Sequence, residues 1–187
     1  MIIVRENYIT MPVLTIALII STFFLWRAVF QEILFKNAVI QANSAFIAGD
    51  FIETQRALSD YDILELSVET RYFLSRAYVT TEALTDVQNQ HKLMGTTHIT
   101  NLVIFDYWIF LGRLQFDEAI DIAQRVGNDE LLLFVYVKYE VVIKSDTTIS
   151  GEEKTTLLND LAGKISALEK DREEEIAELD AAEENAR

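Results

Sequence analysis

Residues 7–26 have the sequence NYITMPVLTIALIISTFFLW, which contains no charged side chain between Glu6 and Arg27. At about 1.5 Å per residue, a helix of this length is about 30 Å long, which matches the hydrocarbon thickness of a bilayer. The core helix of a soluble protein is the alternative, but such a helix rarely stays uncharged over this length because one face meets water. The sequence therefore predicts a transmembrane helix at residues 7–29, after a short cytoplasmic end at residues 1–6.

A cleaved signal peptide is a second alternative, because such segments also place a basic residue, here Arg5, ahead of an apolar run. The residues that follow Trp26 contain no small-x-small cleavage pattern, so an uncleaved anchor is favoured. Basic residues lie on both sides of the span, with Arg5 before it and Arg27 and Lys36 after it. The distribution of positive charge therefore leaves the orientation of the span open.

The composition excludes several classes of function. The chain has 187 residues, of which 50% are hydrophobic, and this is enough for one globular domain with a core of its own. A net charge of -14 argues against nucleic acid and against anionic lipid headgroups as partners, because both attract basic surfaces. The absence of cysteine removes disulfides, thiolate nucleophiles and thiolate metal ligands.

The chain beyond the span is punctuated by glycine and has no proline after Pro12, which indicates helices joined by short connections. Apolar residues recur at helical spacing in stretches 37–48, 51–59, 68–80, 101–112, 116–126 and 129–144, and a loop is predicted around Gly95. The last of these stretches is rich in β-branched residues but is long for a strand. We predict an all-α fold in which the transmembrane helix is followed by a helical, tetratricopeptide-like domain at residues 30–149.

The tetratricopeptide character rests on two short patterns. Residues 45–51, AFIAGDF, resemble the turn between the two helices of such a repeat, where small residues allow close helix packing and an aromatic residue packs across the turn. Residues 114–119, LQFDEA, are a weaker second match, and Thr54 stands where the repeat prefers alanine. Ordinary helix packing is the alternative. Stacked hairpins of this kind usually present a surface to another protein.

A long acidic helix is predicted for residues 150–187. Ser150 and Glu153 have the spacing of a capping box, and Leu161, Ile165 and Leu168 continue an apolar stripe that becomes irregular afterwards. Residues 169–187 contain nine acidic and three basic side chains. A solvated helix end is the simplest interpretation, and a partner-binding arm is the alternative.

We find no residue pattern typical of catalysis. His91 and His98 lack further ligands at metal spacing, and phosphate-binding glycine loops and nucleophile motifs are absent, so neither a metal nor a cofactor is expected. Asp117, Glu118 and Asp121 are predicted to lie on the solvent face of one helix without a pocket. We therefore expect no enzyme activity and no catalytic residues.

Four aromatic residues are candidates for a protein interface, because tyrosine and tryptophan are enriched at binding hot spots. They lie in two predicted helices and are Tyr107, Trp108, Tyr136 and Tyr139. Packing in the core is the alternative for each of them, since large aromatic rings also dominate protein interiors.

Several stretches together resemble the EssB/YukC family, the membrane components of the type VII secretion system of Gram-positive bacteria. The matching stretches follow the apolar span and are QANSAF at 41–46, DYWIFLGR at 106–113, EAIDIA at 118–123, DEL at 129–131 and SGEEK at 150–154. The resemblance implies a homodimeric, single-span membrane protein with Met1 inside the cell and Arg187 outside. It also implies partners among the other secretion membrane components, including the membrane ATPase, with the exported WXG100-type proteins as further candidates.

The chain departs from the family pattern before the span. Family members carry a cytoplasmic pseudokinase-like domain there, whereas about six residues precede the span here. The chain is accordingly expected to be either part of a longer protein or a shorter relative. On the resemblance we expect a membrane-anchored assembly component of the secretion machinery. A generic extracytoplasmic tetratricopeptide-like adaptor, or a partner of a chaperone, is the alternative.

Overall fold

The computed structural model describes residues 7–82 and 102–185 of the chain. Within these ranges every regular element is helical, which confirms the predicted all-α fold. The chain divides into two compact units, Met1–Tyr61 and Asp62–Arg187. The predicted loop around Gly95 and both histidines lie outside the described residues.

The first unit is dominated by helix α1, Asn7–Ile47, which is 41 residues long. The sequence predicts a membrane helix at residues 7–29 and a separate helical stretch from residue 37, but the structure shows no break between them. The reason is local, because no proline or glycine lies between Pro12 and Gly49 to interrupt the backbone hydrogen bonds. At about 1.5 Å per residue, α1 is about 60 Å long and exceeds the thickness of a bilayer core.

A tight turn reverses the chain after α1. Gly49 adopts a left-handed φ of 78°, and the Asp50 amide donates to the Ala45 carbonyl at 2.9 Å, which closes the helix end. The Asp50 side chain then accepts from the Glu53 amide at 2.9 Å and caps helix α2, Phe51–Ala57. The turn predicted within residues 45–51 is therefore present. Neighbouring residues supply both the hydrogen bond that closes α1 and the one that caps α2.

Helix α2 packs back against the end of α1. Ala42 is 1% exposed and Thr54 is fully buried, so the two backbones approach closely at small side chains. The Thr54 hydroxyl donates to the Asp50 carbonyl at 2.9 Å, which satisfies its polar group inside the contact. Phe46 and Phe51 meet edge to face across the turn, with their centroids 5.7 Å apart.

In the described part of the second unit, a 3₁₀ turn at Ile63–Glu65 is followed by four longer helices and one very long one. These are α3, Val68–Thr81; α4, Leu102–Gly112; α5, Phe116–Val126; α6, Asp129–Ser145; and α7, Gly151–Asn185. α3 packs on α4, and α4, α5, α6 and α7 pack successively on one another. Residues 129–145 are thus helical, as predicted, rather than a strand.

Helix α4 occupies the centre of the second unit. Its buried side chains face both α3 and the later helices, and they are Ile104, Phe105, Tyr107, Trp108, Ile109 and Leu111. The helix ends at Gly112, where a Cβ atom would lie 2.1 Å from Cδ1 of Tyr78 on α3. The close approach of α3 and α4 therefore requires glycine at this position.

Helix α7 contributes to the core only through its first half. Ser150 accepts from the Glu153 amide at 3.3 Å, as expected for the first half of the predicted capping box. Leu161 is 3% exposed, and Ile165 and Leu168 pack against the core cluster. From residue 169 to residue 182 every side chain is exposed, so the acidic end of α7 is a solvated helix in this chain.

Candidate membrane anchor and interaction surfaces

Helix α1 exposes an unbroken apolar surface. From Leu14 onward it is long and apolar enough to cross a membrane. Its mean hydropathy is 1.7, and no residue of its most apolar stretch is buried. Leu18 is 68% exposed, Phe23 60% and Trp26 71%. Such a surface is costly in water and has a natural environment in hydrocarbon. The described part of the chain contains a single helix of this kind.

Tyr107 and Trp108, two of the four candidate interface residues, are fully buried in the core of the second unit. The Tyr107 hydroxyl donates to the Leu131 carbonyl at 2.7 Å, and burial raises the pKa of Tyr107 well above its usual value. Trp108 meets Tyr107 and Phe134 edge to face, at centroid distances of 5.2 and 5.7 Å. The structure thus places both rings where the core-packing alternative expects them.

The other two candidates lie on α6. Tyr136 is 4% exposed and belongs to the same core cluster, with Nζ of Lys164 5.6 Å from its ring centroid. Tyr139 is partly exposed and stacks on Phe116, with the centroids 4.4 Å apart. All four aromatic residues therefore belong to one packed cluster, and only Tyr139 offers appreciable surface to a partner.

An ion pair inside the second unit was not anticipated from the sequence. Arg71 on α3 is 7% exposed, and its guanidinium donates to both carboxylate oxygens of Asp106 at 3.2 and 3.3 Å. Its Nε atom also donates to the Leu66 carbonyl at 3.1 Å. Burial raises the pKa of Asp106, and the Arg71 charge opposes this rise. The two residues are 35 positions apart, so no local pattern could have revealed the pair.

A second such pair joins Lys138 of α6 to Glu82, just after α3. Both side chains are mostly buried, at 21% and 15% exposure. Together with the Arg71–Asp106 pair, it ties α3 to the helices around it.

The acidic residues of α5 border a shallow cleft of about 470 Å³, which the sequence did not predict. It is lined by Phe110, Asp117, Glu118, Asp121, Ile122 and Arg125. The carboxylates are solvent-exposed, as expected, and Asp121 pairs with Arg125 at 2.9 Å. Within residues 7–82 and 102–185, no group of three or more acidic or histidine side chains could hold a metal ion.

Comparison with known proteins relates the chain to a secretion family. Residues 2–171 match the family model described as "WXG100 protein secretion system (Wss), protein YukC". An uncharacterized protein of Clostridium acetobutylicum is 31% identical over 135 residues, which cover 72% of this chain and 36% of that protein. The ESX secretion system protein YukC of Bacillus subtilis is 28% identical over 120 residues, 60% of this chain and 25% of the relative.

The type VII secretion system protein EssB of Staphylococcus aureus is 24% identical over 149 residues, 79% of this chain and 33% of the relative. The chain therefore spans between 25% and 36% of the length of these three relatives.

The fold is shared with a solved structure. The crystal structure of the extracellular fragment of Geobacillus thermodenitrificans EssB superposes with a TM-score of 0.69 at 29% identity. The match covers 78% of this chain and 96% of that fragment. Because the family model covers most of the sequence and the structural match covers most of the folded body, the chain belongs to the YukC/EssB family of type VII (WXG100) secretion system components.

Proposed function

We propose that this chain is a single-pass, membrane-anchored assembly component of the type VII secretion machinery, with the helical body outside the cell. The observation that carries the proposal is the combination of an exposed apolar α1 with a body that matches an extracellular EssB fragment. In this arrangement Met1 lies inside the cell and Arg187 lies outside. The arrangement supplies the orientation that the distribution of positive charge leaves open.

The mechanism of this role is positional. A domain tethered to the membrane by α1 is confined to a thin layer above the bilayer, which raises its effective concentration for other membrane-bound proteins. The partners that follow are a second copy of the chain and the other membrane components of the machinery, including its membrane ATPase. The exported WXG100-type proteins are further candidates for direct contact.

The chemistry of the described residues favours a structural role over catalysis. The α5 cleft is open and acidic, and its carboxylates face solvent rather than a substrate-sized enclosure. The two mostly buried ion pairs are arranged to hold helices together, since their charged atoms satisfy one another. We accordingly propose that the chain acts by binding and not as an enzyme.

The proposal is tested in intact cells of a Gram-positive host with an active type VII system. The full chain carries an affinity tag, the cells are crosslinked, and the captured membrane proteins are identified by mass spectrometry. We expect retention in the membrane fraction after carbonate extraction, together with capture of secretion components. Release of the chain by carbonate would contradict membrane anchoring.

A matched pair of variants separates insertion from general surface effects. Aspartate at Leu18 and Ile19 places two charges near the centre of the span, at a cost of about 3 kcal/mol each. This variant should appear in the soluble fraction. Aspartate at Leu64 and Val68, which are 79% and 60% exposed in the second unit, should leave membrane retention unchanged.

A tetratricopeptide-like adaptor outside the secretion machinery is the second candidate. The close contact of α1 and α2 at Ala42, with Phe46 and Phe51 packed across the turn, supports a repeat-like hairpin. Capture of other extracytoplasmic proteins without any secretion component would favour this function over the first.

A further inference from the structure

Helix α7 continues past the body against which it packs. In its first half, Ile165 and Leu168 pack against the core cluster. Ile176 lies about three turns after Ile165, and Leu179 lies about three turns after Leu168, so both continue the core-facing side of the helix. They are 52% and 60% exposed. We call residues 169–182 the α7 extension, in which every side chain is exposed.

The apolar side of the α7 extension is bordered by negative charge. A helix turns by about 100° per residue, which places acidic side chains on both edges of this side. On one edge they are Asp171 and Glu175, and on the other they are Glu173 and Asp180. The extension contains seven acidic and two basic side chains in all. It is therefore an amphipathic helix with an apolar side and two acidic edges.

The two basic residues of the extension do not cancel this pattern. Lys170 is paired with Glu174 at 3.4 Å on the side away from Ile176. Arg172 lies on the apolar side, four residues before Ile176 and nearest to the body. The aliphatic stem of an arginine can lie along apolar surface while its guanidinium stays in water. Ile176 and Leu179 therefore remain the two apolar anchors of the extension.

A helix of this kind matches a common mode of protein recognition, in which the apolar side of a helix lies in a groove on another protein. The acidic edges select the groove, because electrostatic complementarity requires lysine or arginine along its walls. A second copy of the extension would bring carboxylates against carboxylates, and an anionic lipid surface is disfavoured for the same reason. Among the described residues, no group of three or more acidic or histidine side chains could hold a metal ion. A basic protein surface fits best.

The match with the family does not extend to the two anchors. It ends at residue 171, before Ile176 and Leu179. The family resemblance therefore carries no expectation for these residues. What recommends them as anchors is their exposure, their place on the core-facing side of α7 and the carboxylates beside them.

We propose that the α7 extension is a docking helix for another protein, which receives Ile176 and Leu179 in an apolar groove with lysine or arginine along its walls. This inference rests on the proposed function for the place of the encounter, which is outside the cell beside the secretion machinery. It goes further by naming the surface, its two anchors and the chemistry of the partner's groove.

The test places a photoreactive probe on either side of the extension. Leu179 and Ala181 are replaced one at a time by a benzophenone amino acid, in the full chain and in intact cells of a Gram-positive host with an active type VII system. Both positions are exposed and uncharged, but Ala181 faces away from the apolar side. After illumination we expect on the order of tenfold more crosslinked partner at Leu179. The crosslinked partner segment, identified by mass spectrometry, should contain lysine or arginine beside apolar residues.

A charge-matched pair of variants tests the acidic edges. Each variant loses three negative charges at exposed positions, and the substitutions are Glu173→Gln, Glu175→Gln and Asp180→Asn on α7, and Asp117→Asn, Glu118→Gln and Asp121→Asn on α5. With the probe at Leu179, the α7 variant should lower the crosslinking yield by on the order of tenfold, and the α5 variant should leave it unchanged. Circular dichroism of the purified variants checks that both retain the helix content of the unmodified chain.

Several results would overturn the docking helix. They are equal yields at Leu179 and Ala181, no crosslink at Leu179, a crosslink only to lipid or to a second copy of this chain, and a partner segment without basic residues. An equal loss of yield in the two charge variants would also overturn it, because the acidic edges would then have no special role.

The proposed function is judged separately. If carbonate retention and capture of secretion components persist while the docking helix fails, the proposed function stands. Release of the chain by carbonate would instead remove the proposed function. A strong preference for Leu179 together with a basic partner segment would still support the α7 extension as a docking surface in that case.

Discussion

The Tyr107 hydroxyl donates a hydrogen bond of 2.7 Å to the Leu131 carbonyl, and this bond connects the central helix α4 to the first turn of α6. Both residues are fully buried, so water cannot replace either partner. The contact orients the DYW sequence at residues 106–108, in which each side chain has a separate structural task. Asp106 pairs with Arg71, and Tyr107 donates to the α6 backbone. Trp108 fills the core, where its ring packs edge to face on Phe134.

Tyr107→Phe should destabilise the chain by about 1–2 kcal/mol, because it removes a buried hydrogen bond and leaves part of a carbonyl unsatisfied. The measurement is urea denaturation of the full chain in detergent, followed by near-ultraviolet circular dichroism. Tyr139→Phe is the control, since that ring is partly exposed, and it should change the stability by less than about 0.5 kcal/mol. Equal effects of the two substitutions would contradict the role assigned to the Tyr107 hydroxyl.

Trp108→Ala should cost about 3–5 kcal/mol, because it empties a large, fully buried site. A fall in the melting temperature of several degrees is the expected result. Val141→Ala, at a 58% exposed position on α6, provides the comparison and should have little effect. A Trp108→Ala protein with unchanged stability but defective assembly would show that this ring is an interface residue rather than a core residue.

Arg71→Met should destabilise the chain by about 3 kcal/mol near neutral pH, because it leaves the Asp106 carboxylate without its partner. Asp106 already has a pKa raised by burial, and loss of the Arg71 charge removes the effect that opposes the rise. Because the pKa of Asp106 is higher in the folded chain than in the unfolded chain, protonation of Asp106 favours the folded state. The stability contributed by this group is therefore present below the unfolded pKa and lost as pH rises through the folded pKa.

The stability difference between Arg71→Met and the unmodified chain should accordingly shrink as pH falls from 7 towards 4. Urea denaturation at several pH values measures this dependence. Arg125→Met removes an exposed ion pair, 62% and 66% exposed, and should cost less than about 0.5 kcal/mol at every pH. If the free energy of unfolding of Arg71→Met is lowered by the same amount at every pH, lost packing rather than the Asp106 charge causes the destabilisation.

Gly112→Ala should destabilise the chain by about 1–3 kcal/mol, since the new Cβ would overlap the Tyr78 ring. Gly163→Ala has the opposite expectation. No atom lies within 4 Å of the Cβ added there, so improved helix propensity should stabilise α7 by up to about 1 kcal/mol. Thermal denaturation of the two variants should move in opposite directions. Similar shifts would argue against a close α3–α4 approach at Gly112.

Removal of residues 172–187 should leave the melting temperature nearly unchanged, because every described side chain in 169–182 is exposed. The family match also ends at residue 171. Helix content should fall in proportion to the residues lost, while the near-ultraviolet signal of the core is retained. If captured partners disappear from the shortened chain, the acidic end of α7 is a binding arm as well as a solvated helix.

Much of this organisation could be predicted from local sequence. The uncharged stretch 7–26, the turn at Gly49 and the cap at Ser150 depend on neighbouring residues, and the structure contains a helix or helix end at each. Periodicity also gave the correct helix at 129–145. The predicted boundary at residue 29 has no counterpart in the backbone, because a change from membrane to water changes the side chains that are tolerated without ending a helix.

The amino-acid sequence by itself determined an all-helical chain with an apolar first helix and an acidic last one, because these properties depend on composition and on spacing within one helix. The tertiary structure alone decided which side chains meet. Arg71 and Asp106 are 35 residues apart, and Tyr107 and Leu131 are 24 apart, so their pairing depends on how helices pack and not on any local pattern. It also decided that Trp108 lies in the core and that α2 covers α1 at Ala42 and Ala45.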